Sequence, residues 1–441
     1  MRMRLAAPLL AAGIGLLASN PGQAGRARLG PGVREALDVG GRVRVVVAFR
    51  EPTAPVSQLG ARTEEIQETR TAVLRGLATD EFEATHRWAT IPGMAGWLTA
   101  RGLEKLLADP DVDQVDLDPS ATSHMAEAVP MVHADEVQAM GVTGRGVTVA
   151  VLDTGIDTDH PDFAGRIVDQ ACFCVSAAGN CCPGGRAEAT GPGSAEDDNG
   201  HGTNVAGVVA GGGRVAPRGF APEATIVAIK VLDAGGGGSS SSILSALDYV
   251  LKNRPEVRIV NLSLGLANLF PGTCDGAASF TSSFASAIGA LRARGTLTFA
   301  SSGNQGNTSQ IAVPGCIGAA VAVGAVYDGD VGTVSLGCTD ATTAQDRITC
   351  FSNSSSAVDL LAPGAASTAS GVNGGATTFV GTSQACPAAA GAAALLMSAN
   401  PGASADRVEQ ALKDTGVSIT DNRNGLTFRR INVRAALDAV R

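Results

Sequence analysis

The sequence predicts an α/β protein, a mainly parallel sheet flanked by helices and preceded by a smaller α+β unit. Three observations predict it. From Gly144 onward the continuous apolar runs GVTVAVLD, ATIVAIKVL, VRIVNLSL and TLTFAS alternate with helical segments around ILSALDYVLKN and FASAIGALRAR. Strands buried on both faces and alternating with helices make a parallel sheet. Ahead of it, residues 42–118 read strand, helix, strand, strand, helix, strand. Between the two lies PSATSHMAEAVP, rich in small residues and without strong periodicity, as a linker is.

Taken in order, the chain opens with MRMR, LAAPLLAAGIGLLA and SNPGQA. That is a basic start, an apolar stretch too short to span a bilayer, and small residues before a cut after Ala24. Residues 1–24 are therefore expected to be a signal peptide and the protein to be secreted, extracellular or periplasmic. The alternative is a short hydrophobic helix of the mature chain. Residues 25–40 are Gly-, Arg- and Pro-rich and are expected to be poorly ordered. RVRVVVAF (42–49) reads as a strand and RTEEIQETRTAVLRGLA (62–78) as an amphipathic helix. HRWATIP and AGWLTA read as two strands around a Gly-Met turn, GLEKLLADP as a short helix and VDQVDLD as a last strand. The order βαββαβ is a split βαβ, ferredoxin-like unit.

The chain has 441 residues, 44% of them hydrophobic and 17% charged, enough for a full core. A net charge of −9, with no Lys/Arg block longer than a pair, argues against nucleic acid or an anionic membrane surface as partner. No later apolar run is long enough for a membrane span. Nine cysteines suit an oxidising compartment. Four crowd into ACFCVSAAGNCC as Cys172, Cys174, Cys181 and Cys182. A CxC followed by CC is not the usual zinc spacing, so disulfides are expected there, in one of the three connectivities four cysteines allow. Cys274 with Cys316 and Cys338 with Cys350 are the further pairs expected, which leaves Cys386 a buried free thiol.

Sites of an open parallel sheet lie at the carboxyl ends of its strands. Asp153 stands there, after VAVL in VAVLDTGIDTDHPDF. His201 lies between Gly200 and Gly202 in DDNGHGTNVAG, ahead of an apolar helical stretch, and Asn304 follows TLTFASSG. Ser383 lies in GTSQACPAAAGAAALLM, where an alanine-rich helix of about 14 residues begins. Taken singly, an acid caps a turn, a histidine is structural, and a serine before Pro387 is a helix N-cap. Together they fit one chemistry. A serine nucleophile needs a base, an imidazole suits neutral pH, and a carboxylate fixes the imidazole's tautomer. The backbone N–H of Ser383 and the Asn304 amide are the donors expected for an oxyanion. Gly202 and Gly381 permit close approach.

On VAVLDTGID, HGTNVAG and GTSQACP the chain resembles the subtilisin-family (subtilase, S8-type) serine endopeptidases, in their chain order Asp, His, Ser, over about residues 126–441. The resemblance implies peptide-bond hydrolysis through an acyl-enzyme by Asp153, His201 and Ser383, with Asn304 as oxyanion donor. It implies that VNLSLG and FASSGN border the substrate's P1 side chain, and an apolar P1 is expected. The substrate backbone would add as a strand between the segment around Leu264–Gly265 and the loop AGGGGSSSS (234–242), which makes Leu264, Gly265, Ser301, Gly303 and Gly237 the substrate-binding candidates. Asn204 stands where many relatives have a second His, and Gln384 where many have Met. The family's common calcium loop falls near AGGGRVAPRG, which offers few oxygen side chains. Asp162 alone cannot supply the 6 to 8 oxygens calcium takes, so no cofactor is expected and a structural calcium is left without clear ligands.

By the same resemblance residues 25–125 look like the family's inhibitor propeptide, a folding aid that then blocks the cleft, with autocleavage near Met125–Ala126 and a peptidase domain over 126–441. A permanent accessory domain is the alternative. A monomer acting on proteins or peptides is expected, and no docking domain is expected after INVRAALDAVR. An α/β-hydrolase would want G-x-S-x-G and the order Ser, acid, His, which this chain lacks. A catalytically silent scaffold with the same fold is the remaining rival.

Overall fold

The computed structural model describes residues 26–118, 120–123 (backbone only) and 129–441; the expected signal peptide and the Met125–Ala126 bond lie outside them. The N-terminal unit runs β1 (Arg28–Leu29), α1 (Val33–Gly40), β2 (Arg42–Phe49), α2 (Leu59–Arg75), β3 (Phe82–Arg87), β4 (Gly93–Thr99), α3 (Ala100–Ala108) and β5 (Val112–Leu117). Its sheet has the order β1-β5-β2-β4-β3, with β2 antiparallel to both β4 and β5. The βαββαβ core is as expected, with two corrections. Residues 28–40 are ordered, because Val33 and Leu37, one helical turn apart, are buried against the sheet. The segment HRWATIP is not a strand beyond Arg87: residues 88–92 form the connection, and Gly93-Met94 opens β4. Trp88 and Ile91 are apolar there because they are buried against the rest of the molecule.

A short strand follows, β6 (Ser120–Ser123), and then the larger α/β part. This comprises α4 (Ala134–Ala139), β7 (Thr148–Asp153), β8 (Ile167–Phe173), β9 (Val175–Ser176), β10 (Gly179–Asn180), β11 (Glu188–Thr190), α5 (His201–Ala210), β12 (Thr225–Lys230), β13 (Gly238–Ser239) and α6 (Ser240–Asn253). It continues with β14 (Val257–Leu262), β15 (Leu264–Leu266), β16 (Leu269–Phe270), α7 (Ser279–Ala293), β17 (Leu297–Ser301), β18 (Ile311–Ala312), β19 (Val321–Val326), β20 (Val334–Ser335) and β21 (Thr339–Asp340). The last elements are β22 (Leu360–Pro363), β23 (Ser367–Gly371), β24 (Gly375–Phe379), α8 (Thr382–Ala399), α9 (Ala405–Thr415), β25 (Val417–Thr420), β26 (Thr427–Arg430) and α10 (Val433–Val440).

The main sheet has ten strands in the order β11-β8-β12-β7-β14-β17-β19-β22-β26-β25, parallel except at its two edges. Alternate residues of β7 feed two cores. Val149 and Val151 face α5 and α8, while Ala150 and Leu152 face α6 and α7. From β7 the chain steps to β8 and β12 on one side, and β14, β17 and β19 step away on the other. The strand order reverses between β7 and β14, and such a switch point opens a crevice at the strands' carboxyl ends. None of the described helices is long and apolar enough to cross a membrane.

The N-terminal unit sits on α6 and α7. Asp116 accepts the Ser279 N–H at 2.6 Å, at the start of α7. The buried Asp118 carboxylate accepts the Ser241 N–H at 3.1 Å and the Ser240 and Ser241 hydroxyls at 2.5 and 2.6 Å, at the start of α6, and pairs with Arg44 at 2.6 Å. Carboxylates at helix N-termini satisfy orphan N–H groups and complement the helix dipole. In the other direction Asp248 of α6 accepts the N–H groups of Ala89 and Thr90 at 2.7 and 2.6 Å.

All four expected or open cysteine pairs are disulfides: Cys172–Cys182, Cys174–Cys181, Cys274–Cys316 and Cys338–Cys350. Cys386 is free and buried.

Candidate active site

β7 ends in Asp153 at the switch point, fully buried. Its carbonyl accepts the N–H groups of Val231 and Leu232 at 2.7 and 3.1 Å, and its Oδ1 accepts the Thr154 N–H at 2.7 Å. His201 is the first residue of α5, and its Nδ1 lies 2.5 Å from Asp153 Oδ1. A carboxylate at that distance fixes Nδ1 as the protonated nitrogen and leaves Nε2 as the basic one. Gly202 must be glycine, since a Cβ there would lie 2.0 Å from the Gly155 carbonyl oxygen. Close approach of α5 to the loop after β7 is what brings His201 onto Asp153.

Asp197, a residue the sequence reading passed over, locks that approach. It accepts the N–H groups of Asn199, Gly200 and Thr203 at 2.9–3.0 Å, the Thr203 hydroxyl at 2.6 Å and the Thr154 hydroxyl at 2.8 Å. One carboxylate thus ties the start of α5 to the residue after Asp153. Lys230, which is buried, donates to the Thr154 and Leu232 carbonyls at 2.7 and 2.8 Å and pairs with Asp198 at 2.6 Å.

Ser383 is not the cap of α8: Gly381 is, and Ser383 is the second helical residue. The helix is four residues longer than the sequence suggested, and Pro387 lies inside it. Pro387 has no N–H to give the Ser383 carbonyl four residues back. The Ser263 hydroxyl donates to that carbonyl instead. Ser263 is held by Asn261 Nδ2 at 2.8 Å, and Asn261 Oδ1 accepts the Cys386 thiol at 3.3 Å. Burial pushes the Cys386 thiol well above the ordinary range, so it stays protonated and unreactive. The Ser383 hydroxyl is buried and makes no hydrogen bond among the described residues, so its oxygen is not committed to structure.

Asn304 Oδ1 accepts the Thr382 N–H at 2.9 Å and the Thr382 hydroxyl at 2.8 Å. The acceptor end of the carboxamide is thereby used beside Ser383, and its NH2 is the end left to donate. Gly303, at φ +101°, donates its N–H to Thr382 Oγ1 at 3.2 Å; a Cβ there would fall 2.5 Å from Asn353 Nδ2. Ser301 donates to the Leu264 carbonyl at 3.0 Å, joining β17 to β15. The two residues that depart from the family pattern bond to each other: Gln384 Nε2 donates to Asn204 Oδ1 at 2.8 Å, linking α8 to α5 one residue after Ser383 and three after His201.

β6 lies between β13 and β15 in a three-stranded antiparallel sheet. Ser123, Thr122 and Ala121 face Leu264, Gly265 and Leu266, and Ala121 and Ser120 face Gly238 and Ser239. Gly237 stands one residue outside this pairing. Its N–H donates to Asp233 Oδ1 at 2.9 Å, closing the turn that leads into β13.

No cluster of three or more His, Cys, Asp or Glu suited to a metal exists among the described residues. At the loop expected for calcium the donors point the wrong way. Asp162 Oδ1 accepts the N–H groups of Arg214 and Val215 at 2.6 and 3.0 Å, and Oδ2 accepts the Ala216 N–H and the Ser370 hydroxyl at 3.0 Å each. A loop that turns its N–H groups inward is a nest for an anion, and here the anion is Asp162 itself. These residues do not fit a calcium ion.

The sequence profile of the subtilase family matches residues 144–431. An alkaline protease of Shouchella clausii is 32% identical over 381 residues, 85% of this chain and 87% of its own length. M-protease of the KSM-K16 strain of that species is 32% identical over 398 residues, 89% of this chain and 91% of its own. Subtilisin Savinase of Lederbergia lenta is 34% identical over 299 residues, 67% of this chain and 93% of its own. With those matches over this α/β sheet, the chain belongs to the subtilase family and is a serine endopeptidase, a hydrolase of protein and peptide substrates.

Proposed function

We propose that Ser383 is the nucleophile, His201 its general base and Asp153 the carboxylate that orients the imidazole. The Ser383 N–H and the Asn304 NH2 are the donors for the tetrahedral oxyanion. In this reading Nε2 of His201 takes the hydroxyl proton as Ser383 attacks the scissile carbonyl, and returns it to the leaving amine. Water then hydrolyses the acyl-enzyme by the same route. The 2.5 Å contact of His201 with Asp153 supports the assignment of base and orienting acid. The Asn304 carboxamide, its oxygen engaged by Thr382, supports the oxyanion role. No step calls for a cofactor.

The observation that carries the substrate reading is β6, seated between β13 and β15. It supports a groove that takes an extended polypeptide as a middle strand, with Leu264, Gly265 and the Gly/Ser loop up to Ser239 as its walls and Ser301 and Gly303 beyond them. On the same ground residues 25–125 act as a propeptide that fills its own enzyme's groove, with autocleavage near Met125–Ala126. Export by a signal peptide over 1–24 completes a preproenzyme that works outside the cytoplasm, as a monomer. The Asp116 and Asp118 contacts with α7 and α6 support a part for the propeptide in folding.

The test is mass spectrometry of the purified secreted protein with and without a fluorophosphonate probe. The expected result is an adduct on Ser383 and a new N-terminus near Ala126. An intact chain from about residue 25 without an adduct, inert also after limited proteolysis, would leave a silent scaffold and end this assignment.

A further inference from the structure

The four-cysteine loop has no part in the mechanism above, yet it stands behind one wall of the groove. β13 is only two residues long and follows Gly235, Gly236 and Gly237. A glycine run has little preference for the extended form that a pairing edge requires. Hydrogen bonds from two sources supply what the backbone lacks. The Asp233 carboxylate accepts the N–H groups of Gly235 and Gly237 at 2.8 and 2.9 Å, and the Asp233 N–H donates to the Gly237 carbonyl at 2.7 Å. The hairpin β9–β10 bonds to this unit where β13 runs into α6. The Val175 N–H donates to Ser242 Oγ at 3.0 Å, and Ser242 Oγ lies 2.9 Å from Ser239 Oγ in β13 itself.

The hairpin has two-residue strands and exposed Gly179–Asn180, so it has no core of its own. A hairpin of that size is marginal in water. Cys172–Cys182 and Cys174–Cys181 close on it as neighbouring rungs, with Cys172, Cys174 and Cys182 buried together. Cross-links of this kind remove the open alternatives of a short loop.

We propose that the twin-disulfide hairpin is a positioning element for extended substrates: it holds β13 as the second edge of the groove. The inference rests on the groove reading given above. With cleavage near Met125–Ala126, β13 pairs with the fifth and sixth residues before the scissile bond. Hydrolysis of polypeptides long enough to reach it, unlike that of short acyl esters, then depends on a segment outside the catalytic residues.

The experiment compares the parent with Cys174→Ser/Cys181→Ser and with Ser242→Ala, which keeps both disulfides. Two substrates are used, a peptide with six residues before the scissile bond, long enough to reach β13, and an ester of a single acylated amino acid. Both variants should lose about tenfold in kcat/KM on the peptide, mainly through KM, the scale of one or two backbone hydrogen bonds. Ester hydrolysis should stay within about twofold of the parent. Equal losses on both substrates, or no loss on the peptide, overturn the proposal. A parent that neither hydrolyses the ester nor takes the fluorophosphonate on Ser383 refutes the catalytic assignment instead. Hydrogen exchange in the full-length Ser383→Ala protein keeps the two apart. The amides of 235–239 should exchange faster in the hairpin variants while those of β14 do not. Unchanged exchange at 235–239 overturns the proposal whatever the kinetics.

Discussion

Replacing Asp162 by alanine tests how the loop at 212–216 is held. The carboxylate is buried and accepts three backbone N–H groups and the Ser370 hydroxyl. Burial alone would raise its pKa; the hydrogen bonds from Ala216, Arg214 and Val215 outweigh this and hold it below the ordinary aspartate range. Each buried donor left without a partner costs about 1–3 kcal/mol. Arg214 and Val215 are exposed at the surface, so water reaches two of the four donors and the sum is discounted. The expected loss is about 3–5 kcal/mol, or a fall in Tm of about 5–10 °C for a domain of this size. Thermal unfolding in a Ser383→Ala background, which prevents self-digestion, reads it. Because the folded pKa is depressed, this contribution is complete above the unfolded value near 3.9 and is lost as pH falls through the folded one. Chelator should leave the parent's Tm unchanged. A fall under about 2 °C on substitution, or a parent destabilised by chelator and restored by calcium, would refute the anion-nest argument.

Three further outcomes are expected. Asn304→Leu should lower kcat by about 100- to 1,000-fold with little change in KM, the loss known for one oxyanion donor in this enzyme class; a change confined to KM would remove Asn304 from that role. Asp118→Ala should weaken inhibition in trans of the processed enzyme by residues 25–125 by at least tenfold, since it strips Arg44, Ser240 and Ser241 of a buried partner. An unchanged inhibition constant would mean the cap contributes nothing. His86 is fully buried on β3; burial brings its pKa down to about 4, with Arg44 adding to the effect and Asp118 opposing it. The unfolded chain protonates at about 6.5 and the folded one near 4, so stability is complete above 6.5 and falls between those values, by on the order of 3 kcal/mol. Unfolding of the Ser383→Ala protein from pH 7 to 4 measures it, and His86→Leu should flatten the curve; an unaltered slope would acquit His86.

What the sequence made legible was whatever depends on local pattern. β7 is an apolar run stopped by Asp153, and both His201 and Ser383 open helices whose small residues announce close packing. β6 was illegible because SATS has no period of its own; its strand form comes from partners more than a hundred residues away. α1 hid beside Gly and Pro, with only Val33 and Leu37 to mark it. WATIP has the aromatic and β-branched residues of a strand, but its apolar side chains serve the seam with α6 rather than a ladder. Residues that act through several weak bonds, such as Asp197, Thr382 and Ser263, carry no pattern at all. The Gln384–Asn204 bond is likewise invisible in one dimension, since each departure looks independent until the helices meet.

On the groove reading proposed above, the placing of β6 has a consequence for what this protease can cut. It is bordered on both sides, by β13 and by β15. A chain that takes its place must offer both rows of its backbone N–H and C=O groups at once, in extended form. A helix has spent those groups internally, and an inner strand has spent them on its neighbours. A folded protein therefore enters only where it has already come loose over several residues. The rate at which a native protein is cut then follows the population of that opened segment, so the groove measures the local stability of its substrates before it reads their side chains.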